Sequence, residues 1–121
     1  EPGLYEVLAR LKASYKVALA TNRGKSIPPL LERFKLEGAF DVVSTILDVR
    51  HPKPAPDMLL YCLEKTGLAP ELAVYVGDME NDRLAAEAAG IPFILMGNSI
   101  SHPMRIHRLE ELPGFLEKYQ R

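Results

Sequence analysis

The sequence has 121 residues, of which 15 are basic and 16 acidic, for a formal net charge of −1. That length suits one compact domain, and the near-neutral balance argues against a broad basic footprint for nucleic acid. Apolar residues make up 47% and charged residues 26%, enough to build a core and still face water. The longest apolar runs, such as Val17 to Ala20, are far too short to cross a bilayer, so no membrane role is expected. A single cysteine, Cys62, has no internal disulfide partner, which makes a reducing, cytoplasmic setting the expectation.

Two periodicities alternate along the chain. Leu4, Val7, Leu8 and Leu11 recur at helical spacing, with Pro2 where a helix entrance tolerates it. Residues 16–20 form a short apolar run that reads as a strand buried on both faces, ended by the turn Thr21-Asn22-Arg23-Gly24. Leu30, Leu31 and Phe34 mark a second helix whose first turn accommodates Pro28 and Pro29. A second strand is expected from Asp41 to Ile46. The loop His51-Pro52-Lys53-Pro54-Ala55-Pro56 then opens a third helix with Met58, Leu59, Cys62 and Leu63, stopped by Gly67. Ala73 to Val76 form a third strand, broken by Gly77-Asp78. An alanine-rich helix runs from about Asp82 to Ala89 and ends at Gly90. Pro92 to Met96 give a fourth strand. Leu109, Leu112, Phe115, Leu116 and Tyr119 then line one side of a closing helix. Strands alternating with helices across such short connections imply an α/β fold, a Rossmann-like parallel sheet with helices on both faces.

In such sheets ligands sit beyond the carboxyl ends of the strands. Three polar clusters fall there: Thr21-Asn22, Lys53, and the stretch from Gly77 through Asp78 to Asp82. Their types suit an anion held together with a divalent metal. A threonine hydroxyl and turn amides donate to phosphate oxygens. A lysine places compact positive charge on a developing phosphoryl charge. Two carboxylates four residues apart, Asp78 and Asp82, are hard oxygen donors of the kind magnesium prefers. Taken singly, each cluster is equally ordinary turn, cap or surface chemistry, and Asp82 suits a helix cap.

Taken together and in this order, the clusters resemble the haloacid dehalogenase-like hydrolase superfamily, in particular its phosphoglycolate phosphatase-like members. Thr21-Asn22 after an apolar strand looks like the second motif. Lys53-Pro54-Ala55-Pro56-Asp57 is similar to the third. Val74-Tyr75-Val76-Gly77-Asp78 with Asp82, and the helix Leu84 to Gly90 after it, resembles the fourth. The resemblance implies that Thr21 hydrogen-bonds the transferring phosphoryl group with help from the Asn22 amide. It implies that Lys53 neutralises charge there and that Asp78 binds Mg2+. Asp82 would support through the metal, a water or Lys53. The implied reaction is hydrolysis of a small phosphorylated metabolite through an aspartyl-phosphate.

The superfamily's first motif is Asp-x-Asp after an apolar strand, and no Asp-x-Asp occurs in these 121 residues. Residues 1–121 are therefore expected to be a partial core holding the second to fourth motifs, without the first motif, its central strand or the helical cap. A strand of about 5–6 residues between two neighbours makes on the order of ten ladder bonds at ~1 kcal/mol each. Its loss would rival the ~5–15 kcal/mol that holds a domain together. Three outcomes are open: a partner chain or further segment fills the gap, the flanking strands close up, or the chain belongs to a longer polypeptide. The fragment alone is expected to be inactive. A phosphomutase, a phosphonate hydrolase or a non-catalytic module of the same superfamily would share these motifs. A dehalogenase is disfavoured by Gly77-Asp78, a receiver domain by the order of threonine, lysine and acids, and a dinucleotide site by the lack of Gly-x-Gly-x-x-Gly. His51, His102 and His107 lack ligand spacing, and Cys62 is expected in the core. Arg23 and Arg50 flank the motifs, and Asp48 is open between turn and cleft. Met79 stands where many relatives carry serine.

Overall fold

A computed structural model describes residues 3–119. Pro2 and the side chain of Tyr119 lie outside the described residues. The elements in order are α1 (Leu4–Ser14), β1 (Ala18–Ala20), α2 (Ile27–Arg33), β2 (Val42–Ser44), α3 (Asp57–Thr66), β3 (Tyr75–Gly77), α4 (Glu80–Ala89), β4 (Phe93–Met96), β5 (Arg105–Ile106) and α5 (Leu112–Tyr119). Single 3-10 turns precede β3 and α5. The expected helices and four expected strands are all present, with shorter strands than the apolar runs suggested. β5 was not legible, because two residues are too few to show a period.

All strand pairings are parallel, but they fall into two groups. β1 pairs with β2, with Ala18 opposite Val42 and Ala20 opposite Ser44. β4 lies between β3 and β5, with Tyr75 opposite Phe93 and Met96 opposite Ile106. Among the described residues β1 and β3 share no ladder, so the flanking strands have not closed up. The break falls between the strands that end near Thr21 and at Gly77, which is where the resemblance puts the central strand absent from these residues.

Alternation along the strands sends successive side chains to opposite faces. Phe93 and Leu95 join Leu59 of α3 and Ala85, Ala86 and Ala89 of α4 on one face. Ile94 and Ile106 join Val7 and Leu11 of α1 and Leu112 and Leu116 of α5 on the other. The run Phe93-Ile94-Leu95 is buried throughout, which is what a strand covered on both faces requires. The alanines of α4 are the short side chains that let this helix lie close on the sheet, and Gly90, at φ 74, ends it in the left-handed region.

Three helix limits differ from the periodic reading; one is α5, which starts at Leu112 and not at Leu109, because residues 109–111 form a 3-10 turn. Phe34 is the closing residue of α2 and 46% exposed, with the Arg33 guanidinium 5.5 Å from its ring centre. The buried anchor of α2 is Ile27. α4 starts at Glu80, two residues before the expected Asp82, because Asp82 serves the helix from inside its first turn.

Ile94 has no solvent exposure. Ile94→Ala is expected to cost about 2–5 kcal/mol, and Leu60→Ala, on the exposed side of α3, less than about 0.5 kcal/mol. Urea unfolding of both variants checks the contrast.

Candidate active site at the sheet break

Thr21, Asn22 and Asp78 sit just past strand ends, Lys53 on the loop before α3, and Asp82 in the first turn of α4. The end of β1 is prolonged by a bond from the Thr21 N–H to the Ser44 carbonyl (3.0 Å), which carries Thr21 in register past the last paired residue. The Thr21 hydroxyl oxygen accepts the Arg23 N–H at 3.1 Å, and the hydroxyl donates no hydrogen bond among the described residues. Asn22 reaches across to the proline loop. Its Oδ1 accepts the Lys53 N–H (2.9 Å), and its Nδ2 donates to the Lys53 carbonyl (3.3 Å). The Asn22 carboxamide therefore clamps the lysine's main chain, and what Asn22 can still offer an anion is its own N–H.

From that clamp the Lys53 side chain runs between the two strand groups. Its Nζ donates to Asp82 Oδ1 at 2.7 Å, to the Tyr75 hydroxyl at 2.8 Å and to the Ala20 carbonyl at 3.3 Å. Ala20 belongs to β1 and Tyr75 to β3, so the ammonium bridges the break. The Lys53 and Asp82 side chains are only 12% and 10% exposed, too buried to be screened like a surface ion pair.

Asp82 is saturated. Besides Lys53, its Oδ1 accepts the Tyr75 hydroxyl at 3.0 Å, and its Oδ2 accepts the N–H groups of Asp78 and Met79, each at 3.2 Å. The last two are orphan donors at the start of α4. Met79 stands at the N-cap, where a thioether is a poor acceptor, so Asp82 satisfies the turn from the third helical position. Burial works to raise the Asp82 pKa. The bond to Lys53 and its charge, with Tyr75 and the Met79 N–H, outweigh burial and hold the carboxyl below its ordinary value. Burial, then the Asp82 carboxylate, pushes the Tyr75 phenol upward, so it stays a donor.

This close approach depends on Gly77. A Cβ there would stand 2.5 Å from the Asp82 Cβ and 2.7 Å from its Oδ2. Glycine at the end of β3 is needed here for room.

Asp78 differs from Asp82. It is exposed, its main-chain carbonyl accepts the Ser99 hydroxyl, and its carboxylate makes no hydrogen bond among the described residues. It is a hard oxygen donor left without a side-chain hydrogen bond at a strand end, the donor type that Mg2+ prefers. Among the described residues no group of three or more His, Cys, Asp or Glu side chains could hold a metal by itself.

Tyr75, the Ala20 carbonyl and Ser99 had no assigned part in the sequence reading. A lone tyrosine in an aliphatic strand was the available signal, and only the strand's alternation tells which face it takes. The remaining candidates lie outside the cluster. Asp48 Oδ2 accepts the Thr45 N–H and hydroxyl, a turn role. Arg50 lines a surface hollow along α3 with Asp57 and Tyr61. His102 bonds the Phe93 carbonyl at 2.9 Å and meets the Phe93 ring edge-on, while His51 pairs with Asp57. Cys62 is half-buried, and burial, aided by the Asp48 charge, pushes its thiol up to about 11, so it is no nucleophile.

Comparison with known proteins gives this cluster a lineage. Residues 1–96 match the haloacid dehalogenase-like hydrolase family, and the chain belongs to it. It is 39% identical over 95 residues to the phosphoglycolate phosphatase of Escherichia coli strain K12, covering 77% of this chain and 38% of that protein. It is likewise 39% identical over 89 residues to the pyrophosphatase PpaX of Bacillus cereus strain AH820, covering 72% of this chain and 41% of that protein. A crystal structure of a haloacid dehalogenase-superfamily hydrolase of subfamily IA, from Geobacter sulfurreducens, superposes with a TM-score of 0.91. There the identity is 39%, over 96% of this chain and 55% of that one. The chain thus spans about two fifths of the curated relatives it matches.

Two consequences are measurable. The unfolded-state pKa of Asp82 is about 3.9 and its folded value is lower. Its contribution to stability is therefore complete above about pH 4 and is lost as pH falls through the folded value. Urea midpoints from pH 2 to 7 should fall less steeply on the acid side for Asp82→Asn, and equal slopes would refute the assignment. Gly77→Ala should cost more than about 2 kcal/mol, read by the same unfolding measurement, because the main chain or Asp82 must move.

Proposed function

We propose that this chain supplies the phosphate-handling part of a magnesium-dependent phosphatase acting on a small phosphomonoester. The observation that supports the reading is that the Lys53 ammonium, paired with Asp82, takes acceptors from β1 and β3 across one break in a parallel sheet, with Thr21 directly after β1 and Asp78 directly after β3. Thr21 would donate its hydroxyl proton, and Asn22 its main-chain N–H, to oxygens of the transferring group. Lys53, held by Asp82, would place its charge on that group as negative charge develops. Asp78 would hold Mg2+, which when bound screens the phosphate and orients it for in-line attack. Asp82 acts on this reading through Lys53, since its oxygens are already taken by the lysine, Tyr75 and the α4 turn.

The nucleophilic aspartate would come from a strand, outside these residues, that enters between β1 and β3. The unpaired inner edges of those two strands support this, as does the share of the relatives' length that the chain leaves uncovered. The two curated relatives carry the names of different reactions, a phosphoglycolate phosphatase and a pyrophosphatase. Their common part is the phosphoryl group, which is what these residues would handle. A phosphoglycolate-type substrate and a cytoplasmic setting complete the proposal.

The test uses the full-length protein that carries this chain. Phosphate release from a small phosphomonoester should require Mg2+, and Lys53→Met should lower kcat by about 10²–10³. The 121 residues alone should turn over no substrate. Mg2+-dependent release by the 121-residue chain, abolished by Lys53→Ala or Asp78→Ala, would overturn the placement of the nucleophile elsewhere.

A further inference from the structure

We propose that Tyr75 is a positioning residue for Lys53, acting through its hydroxyl, an inference that rests on the phosphatase reading above. A lysine ammonium has three N–H groups and a long, flexible stem. All three have an acceptor here, and the three acceptors differ in kind. Asp82 Oδ1 at 2.7 Å and the Tyr75 hydroxyl at 2.8 Å are short contacts, while the Ala20 carbonyl at 3.3 Å is long. The tyrosine hydroxyl also donates to the same carboxylate oxygen at 3.0 Å, closing a triangle of ammonium, phenol and carboxylate. Two short contacts at fixed points define a direction that one contact leaves free to swing.

The phenol is itself fixed. Tyr75 stands in β3 opposite Phe93, its N–H donates to the Pro92 carbonyl, and its ring lies 6.1 Å from the Phe93 ring at 52°. The hydroxyl is therefore carried by a packed ring on a paired strand. With two N–H groups so held, the third points to the Ala20 carbonyl, one residue before Thr21. That long bond is the one a phosphoryl oxygen beside Thr21 would replace, at little loss to the lysine's own hydrogen bonding. Without the phenol, the ammonium pivots on Asp82 and its charge is no longer aimed.

A tyrosine that merely filled space would contribute packing and stability alone, and Tyr75→Phe separates the two roles because it keeps the ring and removes the hydroxyl. In the full-length protein with saturating MgCl2 and p-nitrophenyl phosphate as probe, Tyr75→Phe should lower kcat about tenfold, the worth of one hydrogen bond to a charged group. KM should change less than about twofold, and inhibition by orthovanadate, which mimics the five-coordinate phosphorus, should weaken in step with kcat. In a Lys53→Met background the same substitution should have no further effect, as coupling through the lysine demands. If Tyr75→Phe does not fold, Tyr75→Met fills the gap with a flexible apolar chain and gives the same readout. Wild-type kcat and vanadate inhibition in Tyr75→Phe, with Lys53→Met inactive, would overturn the positioning role alone. Full activity in Lys53→Met, or none in the wild type, would overturn the phosphatase reading and this inference with it.

Discussion

The Lys53 ammonium lies between two strand groups that share no ladder hydrogen bond, and it takes its partners from both. Ala20 ends β1, Tyr75 begins β3, and Asp82 sits in the first turn of α4. A cation this buried must be paired and hydrogen-bonded, because desolvation costs several kcal/mol. Satisfying it ties the carboxyl end of β1 to the first residue of β3 and the first turn of α4. The proline loop that delivers the lysine is tied back to β1 by Asn22. The result is a frame in which the polar end of the sheet is organised even though its middle is open.

The same economy governs the start of α4. Asp82 meets three demands at once: it caps the helix turn, pairs the lysine and accepts the tyrosine. One carboxylate can do so only by pressing against the end of β3, and Gly77 provides the room. Asp78, one residue further on, is left uncommitted and exposed. Two acids that look interchangeable in the sequence are thus divided between a structural duty and an open one. On the phosphatase reading proposed above, the division would have a purpose, since a phosphate site needs fixed positive charge and a free hard ligand together.

Much of this was legible beforehand. Hydrophobic spacing located every helix, the apolar runs located four strands, and Gly67 and Gly90 marked two helix ends through their left-handed backbone. Thr21, Lys53 and Asp78 were picked out because each follows a strand end, and strand ends in parallel sheets converge. Three details escaped. Phe34 reads as apolar in any scale, yet it closes a helix at the surface. β5 is too short for a period to be visible. The hydrogen-bonding role of Tyr75 depends on its face of β3 lying opposite a lysine 22 residues earlier, which no local pattern encodes.

The sequence by itself determined the alternation of strands and helices, the parallel α/β class and the residue types gathered at the strand ends. These follow from local rules: side-chain period, turn chemistry and the reach of short connections. Tertiary structure alone decided that the gap between β1 and β3 stays open, that Asp82 is spent on Lys53 while Asp78 makes no side-chain bond among the described residues, and that a phenol completes the lysine's shell. Those outcomes depend on which distant groups meet across a few ångströms, and hydrogen-bond saturation of a buried charge is settled only when they do.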